Sequence, residues 1–385
     1  MSTQATETTQ TTSTAPTAST IRTLIEAVRA GGMVVLVEDS EDDSEGVVVM
    51  AADSATESAI NFMAREARGL ICMGLPEARC SELQLPPMVA TATRQRTRFS
   101  VSIEAAHGVT TGISAADRAL TIQVAAAAKT TTDDLVQPGH VFPIMAATDG
   151  VMRHAGFAEA ACDLARLAGH SAAGVVVSIL DDDGENARGP AVTAFAKKHG
   201  LPVSSLTDLI HHRILTEGLI ARTSEKTLQT TFGEFRLIAY HDTILNAVHL
   251  ALVRGEIDSS VNSEPPLVRV QGVEAVRDVL EADFTFGPRY WNANRALARI
   301  AQADRGVLVL LAHEETANEV LQDIERYTAT DTPRMVKFAQ RTLGIGAQIL
   351  RDLGVQRMRL MSHTVPYRAV AGFDLEVTEF VPFED

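Results

Sequence analysis

An α/β fold is predicted: an α/β layered domain followed by a second mixed α/β domain. Three observations carry this. Apolar runs such as Met33-Val34-Val35-Leu36-Val37 alternate with amphipathic stretches, the pattern of buried strands and covering helices. The 385 residues suffice for two domains that each bury a core. A more polar stretch, ILTEGLIARTSEKTLQTTF, interrupts the pattern and reads as the connection. The expected boundaries are a Ser/Thr-rich disordered tail at 1–20, a first domain at 21–213, a linker at 214–232 and a second domain at 233–385.

Each element follows from a local signal. Thr20 is placed to cap a helix whose stripe is Ile21, Leu24, Ile25 and Val28, and Gly31-Gly32 stops it. The strand 33–37 follows directly. SATESAINFMAREARG reads as a helix with a Ser54-to-Glu57 capping box and a Gly69 stop. EAACDLARLAG is a third helix and GVVVSIL a buried strand. In the second domain, FGEFRLIAYHDTILNAVHLALVRGEI gives two strands around a turn. A helix (NANRALARIAQA), a strand (GVLVLLA) and another helix (TLGIGAQILRDLG) come next. MRLMSH and FDLEVTEFVPF close the chain.

Composition removes several function classes. A formal charge of −15 argues against sequence-independent nucleic-acid binding. No apolar run approaches the roughly 18 residues of a membrane span, so a cytoplasmic protein without membrane partners is expected. Cys72, Cys80 and Cys162 form no CxxC, which indicates neither a disulfide framework nor a zinc ribbon.

The densest chemical signal is VEDSEDDSEG, where Glu38, Asp39, Glu41, Asp42, Asp43 and Glu45 crowd behind the first strand. Like charges so close need a cation, a base or plain solvent. Asp43 and Glu45 share one side of an extended segment, the spacing of a weak metal site. A solvated charge run is the competing reading. DDDG, Asp181 to Gly184, reads as a structural turn.

Several stretches together resemble the bifunctional riboflavin-pathway proteins that join 3,4-dihydroxy-2-butanone 4-phosphate synthase to GTP cyclohydrolase II. In the first domain they are AINFMAREARGLIC, GVTTGISAADRALTI, DLVQPGHVFPI and EAACDLARLAG; in the second, FRLIAYHDT, HLALVRGEI and LGIGAQILRDLGVQRMRL. The resemblance spans about residues 21–383. It implies conversion of ribulose 5-phosphate to a four-carbon ketone phosphate plus formate, two divalent cations, and a homodimer with sites near the interface. Its retained pocket residues fall on Glu45, Cys72, Thr110, Thr111, Asp117, Arg118, His140 and Glu159.

The departures are specific. The family's acidic loop, Asp-Arg-Glu-Asn-Glu-Gly-Asp, is here Glu41-Asp42-Asp43-Ser44-Glu45-Gly46-Val47. Its Arg-Ala-Gly-His-Thr-Glu is His154-Ala155-Gly156-Phe157-Ala158-Glu159, so a metal-ligating His is Phe157 and two phosphate contacts are His154 and Ala158. A catalytic Glu falls on Ser178. Asp42 repels the phosphate that an Arg attracts, and Phe157 offers magnesium no donor. The candidate catalytic residues are Glu45, Cys72, His140, His154 and Glu159. Asp42, Thr110, Thr111, Asp117, Arg118, Arg153, Phe157 and Ser178 are candidates for substrate binding; Arg153 stands beside the lost Arg position. Magnesium on Asp43 and Glu45 is the one cofactor entertained.

In the second domain, the segment matching the family's three zinc cysteines, VQGVEAVRDVLEADFTFGPR, has no cysteine, so no zinc and no GTP ring opening are expected. The family's glycine-rich Arg loop is HEETANEV and its Thr-Asn-Asn-Pro is SHTVP. The expectation is a diverged synthase-like enzyme performing enolisation, dehydration or C–C rearrangement on a non-phosphorylated polar small molecule. The alternatives are the family's own synthase reaction and a catalytically inactive binding or regulatory paralogue.

Overall fold

The computed structural model describes residues 20–38, 44–89, 97–244, 246–257, 264–283, 290–313, 315–328, 340–362 and 375–383. The expected tail and the acidic cluster at 39–43 therefore lie outside the described residues, as do Asp42 and Asp43. The chain forms two compact units that part between Leu209 and Ile210.

In the first unit the elements are α1 (Ile21–Arg29), β1 (Val34–Val37), β2 (Gly46–Ala51), α2 (Glu57–Phe62, continued by a π turn to Ala67), β3 (Cys72–Pro76), α3 (Glu77–Glu82) and β4 (Ile103–Ala105). They continue as α4 (Ala115–Ala126), β5 (Leu135–Ala146), α5 (Phe157–Leu167), β6 (Gly174–Ser178), α6 (Pro190–His199), β7 (Val203–Ser205) and α7 (Leu206–Thr216), which runs past the boundary. The strands form one mixed sheet in the order β4-β5-β3-β6-β2-β1-β7.

Local chemistry explains the starts. The Thr20 hydroxyl accepts from Thr23 N at 3.3 Å, and Ile21, Leu24, Ile25 and Val28 are buried beneath it. Each such side chain contributes roughly 1.5–3 kcal/mol on burial. At α2 the capping residue is Thr56, accepting from Ala59 N at 3.2 Å, in place of the expected Ser54. Ser54 is spent closing a 3₁₀ turn over Ala52–Ser54. Arg68, not Gly69, takes the left-handed turn at φ 70°. Gly69 is there because a Cβ would stand 2.3 Å from the Ser178 carbonyl oxygen. Helix α5 buries Leu164 with Ala158, Ala160, Ala161 and Ala165, and its backbone lies close on the sheet at Gly74 and Gly174.

Strand register fixes where functional groups emerge. β2 runs antiparallel to β6 with Val47 opposite Ser178, and β6 antiparallel to β3 with Val176 opposite Cys72. β3 runs parallel to β5 with Cys72 opposite Phe142. Glu45, Ser178 and His140 therefore emerge at one end of the sheet. Pro76 and Ala146 leave at the other.

In the second unit the elements are β8 (Ile220–Thr230), β9 (Gly233–Asp242), β10 (Ala247–Arg254), β11 (Leu267–Gly272), α8 (Ala293–Ala301), β12 (Gly306–Leu311), α9 (Ala317–Thr328), α10 (Gln340–Asp352), β13 (Arg357–Leu360) and β14 (Glu376–Phe380). Its sheet order is β14-β13-β11-β12-β10-β9-β8. The stretch 214–232, expected as a linker, instead finishes α7 and forms β8, which pairs with β9 from Ile220 to Thr230. Its polarity is that of an edge strand with nearly every residue exposed. HEETANEV includes the start of α9, where Thr316 and Glu319 make a capping box.

Candidate active site

At the first end of the sheet, Glu45 is already engaged. Its Oε1 accepts from Arg188 Nη2 at 2.6 Å and its Oε2 from Asn186 Nδ2 at 3.0 Å. Ser178 lies in the ladder opposite Val47. On β5, His140 Nδ1 lies 2.8 Å from Glu104 Oε2, with the imidazole half-exposed and the carboxylate largely buried. Asp117 organises the adjoining loop: its Oδ2 accepts from the Thr110 hydroxyl and from Gly112 N, both at 3.0 Å. Desolvation pushes the Asp117 carboxyl up, but the bonds from Thr110, Ser114 and Gly112 outweigh it and the pKa is lowered. Gly112 sits at φ 79°, and a Cβ there would meet Glu104 Oε1 at 1.7 Å. The Thr110–Gly112 loop thus presses on the His140–Glu104 pair. Thr111 is exposed beside it. Arg118 follows Asp117 on α4, with a buried Nε that finds no hydrogen bond among the described residues.

A second cluster occupies the other end. Glu159, in the first turn of α5, is buried, and its Oε1 accepts from Ala147 N at 3.0 Å. The same oxygen lies 3.2 Å from His154 Nδ1. Phe157 begins the helix and is partly buried; Arg153 is exposed after the 3₁₀ turn Gly150–Met152. Beside the end of β5, Arg98 O accepts from Met145 N at 2.9 Å, and Arg98 Nη2 donates to Glu77 at 2.9 Å.

Within the pocket expected from Glu45, Cys72, Thr110, Thr111, Asp117, Arg118, His140 and Glu159, the described contacts form three sets: Glu45 with Arg188 and Asn186, Thr110 with Asp117 beside the His140–Glu104 pair, and Glu159 with Ala147 and His154. Cys72 departs from a nucleophile's profile. Burial pushes its thiol up to about 12, so it stays protonated. Glu104, Arg188, Asn186, Glu77 and Arg98 escaped the sequence reading. Glu104, an acid in the apolar strand SVSIEAA, was the one with a local signal.

The described residues do not suit a magnesium ion. They include no group of three His, Cys, Asp or Glu side chains able to hold a metal. Glu45 is committed to Arg188 and Asn186, and Phe157 has no donor atom. In the second unit, the segment without zinc cysteines is pinned by Asp278. Its Oδ1 accepts from Gln271 Nε2 at 2.8 Å, Ala293 N at 2.9 Å and Arg277 Nε at 3.3 Å. Its Oδ2 accepts from Arg277 Nη2 at 2.7 Å and Glu274 N at 3.0 Å. Burial raises this carboxyl, and Arg277 with the backbone N–H groups more than reverses it, leaving the pKa lowered. A cavity of about 290 Å³ in this unit is bordered by Arg222, Tyr240 and Asp352, whose polar atoms bond to one another.

Comparison with known proteins matches this layout. Residues 22–212 fit the 3,4-dihydroxy-2-butanone 4-phosphate synthase family and 221–382 the GTP cyclohydrolase II family. The chain is 44% identical over 363 residues to the 3,4-dihydroxy-2-butanone 4-phosphate synthase of Pseudomonas aeruginosa, covering 94% of this chain and 98% of that protein. It is 43% identical over 375 residues to riboflavin biosynthesis protein RibBA of Aquifex aeolicus, covering 94% and 91%. The crystal structure of a two-domain 3,4-dihydroxy-2-butanone 4-phosphate synthase from A. baumannii superposes with a TM-score of 0.77 at 39% identity, over 95% of this chain and 100% of that one. A 3,4-dihydroxy-2-butanone 4-phosphate synthase in complex with two magnesium ions aligns with 52% of this chain and 99% of its own, at 37% identity and a TM-score of 0.50. The chain belongs to the family of fused riboflavin-biosynthesis proteins in which a 3,4-dihydroxy-2-butanone 4-phosphate synthase unit precedes a GTP cyclohydrolase II unit.

Proposed function

We propose that the first unit catalyses the synthase reaction, ribulose 5-phosphate to dihydroxybutanone phosphate plus formate. The observation that carries this is the near full-length likeness to synthases that share both units. It supports the synthase reaction over the diverged enzyme expected from the sequence. The retained stretches Gly108–Arg118 and Gln137–Pro143 add support, because they fold into the Asp117 loop and the His140–Glu104 pair. Enolisation needs a base beside a carbon next to a carbonyl, and an imidazole held by a carboxylate is such a base. The described residues form no magnesium site.

A second reading is favoured by one specific observation: Asp42, His154 and Ala158 stand where the family contacts phosphate. Under it, the same proton chemistry acts on a non-phosphorylated ketose. Carbon-13 NMR of the full chain with labelled ribulose 5-phosphate and, separately, labelled ribulose distinguishes the two. Formate from the phosphate ester alone supports the first reading; turnover of ribulose alone supports the second.

The second unit, with no cysteine after Cys162, is proposed not to open the GTP ring. A homodimer is proposed as well. The family resemblance supports it, and sedimentation velocity tests the oligomeric state.

A further inference from the structure

We propose that His154 and Glu159 form an acid–base dyad in which His154 Nε2 exchanges the substrate proton and Glu159 is the positioning residue. The substrate class, a small polyhydroxy ketone, rests on the synthase-type reading; the dyad itself rests on geometry.

Glu159 cannot drift. It is 5% exposed, and the Ala147 N–H fixes its Oε1. A carboxylate oxygen 3.2 Å from Nδ1 is an acceptor, so a neutral His154 ring places its one hydrogen on the nitrogen that faces it. That selects the Nδ1–H tautomer and leaves Nε2 with a lone pair, on a ring whose side chain is 43% exposed. Nε2 has no hydrogen-bond partner among the described residues.

Gly156 gives an independent sign that the pair is built. Its φ of −124° is open to any residue, so the backbone does not require glycine. A Cβ, however, would lie 2.4 Å from Glu159 Oε2 and 2.9 Å from both Nδ1 and Cε1 of His154. The requirement comes from the two side chains. Close by, Arg98 keeps one guanidinium nitrogen on Glu77 while its backbone pairs with Met145, two residues before Ala147. Its charge is near enough to interact with Glu159.

The step balances. Nε2 takes the proton from the carbon beside the carbonyl, the C–H electron pair forms the C=C bond, and the carbonyl π pair moves to oxygen. The imidazolium returns its proton to that oxygen or to carbon.

Imidazole ¹⁵N NMR of the full chain reads the tautomer without substrate. The expected result is Nδ1–H at His154 in the wild type and a shift toward Nε2–H, which free imidazole prefers, in Gly156→Ala. In turnover, Gly156→Ala should lower kcat roughly 10- to 100-fold, with KM changed less than about twofold. His154→Gln should lower kcat by about 10²- to 10⁴-fold. An Nε2–H tautomer in the wild type, or wild-type kcat in His154→Gln, overturns the dyad. An Nδ1–H tautomer in a wild type that forms no formate upholds the positioning and overturns the substrate reading instead.

Discussion

The two units use buried carboxylates in opposite ways. In the first, Glu104 hydrogen-bonds one nitrogen of the half-exposed His140, and Glu159 lies against one nitrogen of the half-exposed His154. In the second, Asp278 is saturated, both oxygens taken by Gln271, Glu274, Arg277 and Ala293. A carboxylate with every lone pair occupied can only cross-link. One that orients a histidine leaves a group able to move a proton. On the proposed reading, chemistry belongs to the first unit and Asp278 serves stability.

The largest effect should come from breaking the cross-link. Asp278→Ala leaves Arg277 buried without its closest acid and should destabilise the second unit by about 3–5 kcal/mol, seen as a lowered unfolding midpoint in urea. The sign with pH follows. The folded pKa is depressed, so the stabilisation is present above the unfolded value of about 3.9 and is lost as pH falls through and below it. Asp278→Ala should therefore flatten the acid side of the stability profile. An unchanged profile would break the contrast.

Next is Gly112→Ala, which meets Glu104 and also forces a left-handed residue to carry a Cβ. It should cost roughly 2–4 kcal/mol and disturb the His140–Glu104 pair. Thermal melting gives the first quantity and the His140 ¹⁵N spectrum the second. Gly156→Ala lacks the backbone strain and should cost less.

Glu45→Ala should change stability by only about 0–1 kcal/mol, because its partners Arg188 and Asn186 are exposed. A loss of turnover without loss of stability would sharpen the case that Glu45 serves chemistry. The smallest signal belongs to Cys72. With its thiol near 12, about one molecule in 10⁴ carries a thiolate at pH 8. Iodoacetamide should label it in unfolded but not folded protein, read by peptide mass spectrometry. Rapid native labelling would contradict the burial account.

What the sequence revealed depended on how local the cause was. Thr20 caps α1 from three residues away, and the strand at 34–37 follows from its unbroken apolar run. β8 was missed because an exposed edge strand carries no buried face to betray it. Which strand ends lie together follows from antiparallel pairing, such as Val47 with Ser178, which no local pattern encodes. Glu104 and His140 lie 36 residues apart, and Glu45 and Arg188 lie 143 apart. His154 and Glu159 were both visible as candidates, but their contact was not.

The most direct test of the contrast is one formate assay run on two substrates, ribulose 5-phosphate labelled throughout and GTP labelled at the imidazole-ring carbon lost on opening. The account predicts ¹³C-formate from ribulose 5-phosphate and none from GTP. Formate from GTP would contradict it by placing chemistry in the unit where Asp278 stands in the segment without zinc cysteines.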